Sequence, residues 1–158
     1  MQHKRTRDVG EWLLKLTSSG TTEITDACKV ISSSRQGRGV LVVLSDCLDK
    51  EGMKQGLSYL VSGGWDVFVI QLLAPEEIQP TKHGLEGDLS LVDAETGESC
   101  DVTITTPLVE QYHQHLEDYC EELRLQCTRI GVGSVRVSTD VDMELLLVEY
   151  LRTRGLLH

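Results

Sequence analysis

The stretch that decides the fold is the run Val40-Leu41-Val42-Val43-Leu44-Ser45-Asp46-Cys47. Its first five residues are all apolar, which is typical of an interior strand of a parallel sheet that is covered on both faces. The run then ends in a hydroxyl group and a carboxylate. Because ligands of open parallel sheets bind outside the carboxyl ends of the strands, Ser45 and Asp46 are the first candidate site residues.

A second strand follows after one helix. Apolar residues at helical spacing extend from Met53 to Val61, two glycines close that segment, and the run from Val67 to Leu72 is again apolar except for Gln71. This order is a β-α-β unit, whose right-handed crossover lays its two strands parallel. The sequence therefore predicts an α/β fold with a partial doubly wound, mostly parallel sheet flanked by helices.

The other elements are predicted from periodicity and breakers. Residues 88–92 and 101–105 alternate apolar and polar side chains, which indicates a β-hairpin inserted at about 87–105. Helices are expected over 8–17, 23–33, 106–130 and 143–151, and a last strand over 134–138. A length of 158 residues fits a single domain, 1–158.

Composition excludes several classes of partner. The chain has 15 basic and 25 acidic residues and a net charge of -10, which repels phosphate backbones and anionic membranes, so nucleic acid is disfavoured. Apolar runs are of strand length, so no membrane span is predicted. The 5 cysteines form no C-x-x-C pair, which favours a reducing compartment and predicts a cytoplasmic protein.

Polar side chains collect at the carboxyl edge of the predicted sheet; the candidates are Ser45, Asp46, Asp49, Glu76 and Asp140. Hard oxygen ligands of this kind suit magnesium, manganese or calcium. The aspartates could equally cap the helices that follow them. From composition alone capping is the preferred interpretation, because a cap needs one residue whereas a metal needs a convergent set.

Two further groups invite a chemical interpretation. His113 and Glu117 stand at i and i+4 of a predicted helix, but no H-E-x-x-H motif occurs, so a solvated polar face is expected instead of a zinc site. Cys47 has no histidine partner that a motif would place beside it. We therefore expect an inert, half-buried thiol.

Two segments, Gly20-Thr21-Thr22-Glu23-Ile24 and Leu44-Ser45-Asp46, resemble the second and third metal motifs of the von Willebrand factor A-like fold. The segments 41–46, 71–77, 87–97 and 135–140 resemble, in order, the C-terminal half of the bacterial family called domain of unknown function 58. The resemblance implies that Thr22 and Asp46 are ligands of one magnesium or manganese ion. It also implies a protein partner, and family context suggests a MoxR-type ATPase of the AAA class.

The chain departs from that pattern because the D-x-S-x-S motif and the family's first strand are absent. With two protein ligands left, metal binding is expected to be weak or absent. The missing strand would leave Val40–Leu44 with an unpaired edge, which predicts self-association. The predicted function is a non-enzymatic protein-interaction module. The open alternatives are a small magnesium-dependent hydrolase or phosphotransferase using Asp46, and a truncated product with no metal function.

Overall fold

The computed structural model of the protein describes residues 6–17, 23–34, 39–85, 87–93 and 97–142. Helices and strands alternate along most of these ranges. The elements in chain order are α1 (Thr6–Leu13), α2 (Ile24–Ser33), β1 (Val40–Ser45), α3 (Lys50–Ser62), β2 (Asp66–Leu73), α4 (Pro75–Ile78), a 3₁₀ turn (Pro80–His83), β3 (Gly87–Val92), β4 (Ser99–Ile104), α5 (Thr106–Arg129) and β5 (Gly133–Ser138).

The strands form two sheets in the described part of the chain. β1, β2 and β5 make a parallel sheet in the order β1-β2-β5, with Val42 opposite Phe68 and Phe68 opposite Gly133. β3 and β4 pair antiparallel as a hairpin. The predicted α/β fold, its parallel β-α-β unit and its inserted hairpin are therefore confirmed.

Two glycines end helices at points where the chain turns into a strand. Gly64 follows α3 with φ 82°, and Gly131 follows α5 with φ 75°. Glycine adopts this left-handed conformation without the steric cost that a Cβ brings. Each helix can therefore turn within a few residues into the strand that follows it, β2 after α3 and β5 after α5.

The core lies on both faces of the parallel sheet. Alternate residues of a strand point to opposite faces, so Val67 and Val69 join the cluster that α2, α3 and α5 cover. Phe68 and Ile70 face the other way and pack with residues of β5. α2 approaches α3 closely at Gly56, where a Cβ would lie 2.9 Å from the sulfur of Cys28.

The structure corrects the predicted burial of β1. A strand covered on both faces is expected, but one face of β1 is exposed. β1 lies at the edge of the described sheet and pairs there with β2 alone, which agrees with the unpaired edge expected from the missing first strand. Its exposed side chains are Val40, Val42 and Leu44, at 62%, 42% and 64% of full exposure. The physical reason is that the second-face cluster extends over β2 and β5 and stops short of β1.

Smaller differences concern element ends. The segment after β2 forms α4 and the 3₁₀ turn instead of a plain loop, and α1 ends at Leu13 although helical spacing continues toward residue 17. The helix predicted at 143–151 lies outside the described residues. In the described ranges, no helix has both the length and the apolar character that crossing a bilayer requires.

Candidate functional site

The end of β1 is built as a tight turn by its own side chains. The Asp46 Oδ1 atom accepts the backbone N–H of Leu48 at 3.1 Å, and the Ser45 hydroxyl oxygen accepts the N–H of Cys47 at 3.0 Å. Aspartate and serine commonly stabilise turns in this way. The Asp46 side chain is exposed and carries its charge to the carboxyl edge of the sheet.

Asp49 begins α3. Its Oδ1 atom accepts the N–H of Gly52 at 2.9 Å, which satisfies one of the backbone donors that the first turn of a helix leaves unpaired. A Cβ at Gly52 would stand 1.9 Å from the Asp49 carboxylate, so glycine is needed at this position to admit the cap. Asp49 therefore has the capping role that its residue type favours.

Two side chains that the sequence does not identify as site residues donate hydrogen bonds to the backbone of the β1 turn. Gln71 of β2 is buried, at 4% exposure, and its Nε2 donates to the backbone oxygen of Asp46 at 3.2 Å. The Tyr119 hydroxyl of α5 donates to the backbone oxygen of Cys47. Burial raises the pKa of Tyr119 to about 12, so the phenol keeps its proton and remains a donor.

The Cys47 thiol is not activated. It is 1% exposed, which makes it fully buried where a half-buried thiol is predicted, and its backbone takes a left-handed φ of 61°. Burial raises its pKa to about 12, and the hydrogen bond with Ser45 opposes this to a smaller extent. Because the thiolate is the nucleophilic form, the predicted inertness of this cysteine agrees with the structure.

The remaining rim residues lie on separate elements. Glu76 is exposed on α4, with its Oε1 3.9 Å from Nδ1 of His83. The next residue, Glu77, turns back and accepts the N–H of Ala74 at 2.6 Å. Asp140 follows β5 and accepts a hydrogen bond from the Ser138 hydroxyl. Each of these carboxylates thus has a local partner.

Within the described ranges, no group of three or more histidine, cysteine or acidic side chains is placed to hold a metal ion. Ser45, Asp46 and Asp49 lie in one loop, whereas Glu76 and Asp140 follow other strands. Thr22 lies outside the described residues. The paired metal ligands Thr22 and Asp46 therefore stay a prediction.

The solvated face predicted for His113 and Glu117 is confirmed at Glu117, whose side chain is 60% exposed, but not at His113. Glu117 accepts a hydrogen bond from Arg136 of β5 at 2.9 Å. The Nε2 atom of His113 is buried and has no hydrogen-bond partner among the described residues. Arg136 and Glu117 line a cavity of about 270 Å³ between α5 and β5. A second arginine in its lining, Arg124, forms an ion pair with Glu121 at 2.7 Å. The two arginines of this cavity are thus neutralised by the chain itself.

A separate apolar groove of about 330 Å³ runs between the β-hairpin, α4 with its 3₁₀ turn, and the start of α5. We call it the hairpin groove. Its apolar lining includes Pro80, Leu85, Leu91, Val102, Ile104 and Leu108, and the charged residues among its described lining are Glu76 and Glu77. It is a surface suited to an apolar ligand with positive charge, and the sequence analysis did not identify it.

The fold and the carboxyl edge of the parallel sheet define an α/β protein whose acidic residues stabilise turns and cap helices around that sheet. A family model described as "Protein of unknown function DUF58" matches residues 11–122, more than two thirds of the chain. The chain belongs to this family, as the resemblance predicts. No curated protein and no solved structure gives a significant match. The description of the family names no activity.

Proposed function

We propose that the protein is a non-enzymatic interaction module of the von Willebrand factor A-like type, and that it binds a protein partner along the outer edge of β1. The observation that carries the proposal is that β1 has an unpaired edge in the described sheet and exposed aliphatic side chains. In the described sheet β1 pairs on one side with β2, and three of its aliphatic side chains are exposed.

An edge strand of this kind has a strong tendency to acquire a partner. Its outer side presents unpaired N–H and C=O groups, and natural proteins usually protect such edges with charged residues, proline or a bulge. β1 reads VLVVLS and has none of these. Covering a half-exposed aliphatic side chain contributes about 1 kcal/mol, so the three together favour association by about 3 kcal/mol before entropy is counted.

The chemistry at the carboxyl edge supports a binding role over an enzymatic one. Asp46 and Asp49 accept backbone N–H groups of their own loop, and the neighbouring thiol of Cys47 is buried. A nucleophile needs access to substrate, which the buried thiol lacks. The two aspartates bind backbone N–H groups of the turn and of the first turn of α3.

The partner class and the metal follow from the family resemblance. We propose a MoxR-type AAA ATPase in the cytoplasm as the partner, with a magnesium or manganese ion bridging Thr22 and Asp46 to an acidic group of that partner. Magnesium takes about six oxygen ligands, so two protein ligands alone hold it weakly. We expect the isolated chain to bind manganese weakly or not at all, and a tight site abolished by Asp46→Ala would contradict this expectation.

The experiment measures binding of the chain to the purified MoxR-type ATPase of its source cells by biolayer interferometry, with and without manganese. Val42→Lys places a charge on the exposed face of β1 and should weaken binding at least tenfold. Val30→Lys is the matched control, because Val30 is 72% exposed on α2 and the charge change is identical. Equal affinities for the two variants would remove β1 from the interface.

A further inference from the structure

We propose that the hairpin groove binds an amphipathic helix of a partner protein, with aliphatic side chains on one face and lysine or arginine at its margin. This surface is distinct from the edge of β1, and none of the residues that line it belongs to β1.

The β-hairpin has one apolar and one polar face. Residues directly opposite each other in an antiparallel pair share a face, and Leu89 stands opposite Val102 while Gly87 stands opposite Ile104. The alternate residues, among them Asp88 and Asp101, occupy the other face. The apolar face lines the groove.

This apolar face is incompletely covered. Leu91 is 49% exposed on β3, and across the groove Leu108 and Tyr112 of α5 are each 39% exposed. The Tyr112 hydroxyl donates to the backbone oxygen of Glu77 at 2.8 Å, which fixes the ring as part of the groove wall. Apolar side chains from two elements thus face one another across a space that holds no other described side chain.

Charge complementarity selects the kind of partner. Both charged residues in the described lining, Glu76 and Glu77, are acidic, and the chain as a whole carries a net charge of -10. A basic helix is attracted by this field, whereas an acidic helix or an anionic lipid surface is repelled. Lysine and arginine can also lay their apolar stems along the groove while their charged ends reach the carboxylates.

The form of the groove suits a helix. The hairpin face, α4 with its 3₁₀ turn and α5 contribute its described walls, and an amphipathic helix binds by laying its apolar face into an apolar groove of this kind. A volume of about 330 Å³ lies within the range of pockets that hold ordered ligands. It accepts a few aliphatic anchors of the kind that amphipathic helices present at positions i, i+3 and i+4.

The test uses a random 16-residue peptide library displayed on phage and selected against the immobilised full chain. The same library is selected in parallel against the immobilised Leu91→Gln chain, and peptides that are enriched more strongly on the unchanged chain depend on the groove. We expect these peptides to carry more lysine and arginine than aspartate and glutamate, together with aliphatic residues at helical spacing. Absence of enrichment, or enrichment of acidic peptides, would overturn the proposal.

Synthetic copies of the enriched peptides are then titrated by fluorescence anisotropy. Leu91→Gln should weaken binding about fivefold, which corresponds to losing half of a leucine burial, and Glu76→Gln should weaken it about threefold. The matched controls are Val92→Gln, which lies on the opposite face of the same strand, and Glu51→Gln, which is exposed on α3. Equal effects in the groove variants and the controls would contradict the assignment, whatever the outcome for β1.

Discussion

Replacing Gly56 by alanine at the contact of α2 with α3 should lower the free energy of unfolding. The new Cβ would lie 2.9 Å from the sulfur of Cys28 and 3.3 Å from its Cβ. Both distances are shorter than ordinary van der Waals contacts. Cys28 is itself buried, so its side chain cannot move into solvent to relieve the contact.

The magnitude follows from two opposing effects. Overpacking of a well-packed core costs about 1–3 kcal/mol. Alanine in place of glycine inside a helix recovers about 1 kcal/mol. We therefore expect a net loss of about 1 kcal/mol, which for a chain of this length lowers the Tm by about 2–4 °C.

Urea denaturation followed by circular dichroism measures the change. Gly10→Ala is the matched control, since a Cβ at Gly10 of α1 meets no atom within 4 Å and the variant isolates the gain in helix propensity. Adding Cys28→Ala to the Gly56→Ala chain should recover part of the loss. If Gly56→Ala stabilises the protein as much as Gly10→Ala does, the close approach of α2 and α3 is refuted.

Three shorter predictions concern the β1 turn and the thiols. Of the described cysteines Cys100 is exposed and the others are buried, so native protein should react rapidly with Ellman's reagent at one thiol, and Cys100→Ser should abolish that phase. The pKa of Tyr119 is raised from 10.0 to about 12, so its contribution to stability is complete below about pH 10 and is lost as the pH rises to about 12. Over this range the urea midpoint of Tyr119→Phe should fall less than that of the unchanged protein. Equal falls in the two proteins would contradict the role of the Tyr119 hydroxyl. Asp49→Ala removes the cap of α3 and should cost about 1 kcal/mol, whereas Asp49→Asn should retain most of it.

The sequence predicts the β1-α3-β2 unit well because its signals are local. The apolar runs, the helical spacing between them and the glycine pair at 63–64 act over neighbouring residues, and the observed bounds differ from the predicted ones by a few positions. Asp49 is likewise predictable as a cap, because its partner Gly52 lies three residues along the chain. Local chemistry of this kind is visible without knowledge of the fold.

The exposure of one face of β1 could not be predicted in this way. An unbroken apolar run indicates burial on both faces, but coverage of the second face depends on which elements pack there. The supports of the β1 turn are also distant in sequence, since Tyr119 donates to Cys47 across 72 residues. Gln71 did leave a signal, because it is the polar residue within the apolar run from Val67 to Leu73.

The central claim is that β1 acquires a partner along its outer edge, and hydrogen exchange of the β1 amides tests it most directly. The measurement compares the chain alone with the chain saturated by the purified MoxR-type ATPase. We predict at least tenfold slower exchange over Val40–Ser45 in the complex and little change in β2, whose amides are paired on both sides in the isolated chain. Unchanged exchange over β1 in a complex that demonstrably forms would contradict the claim.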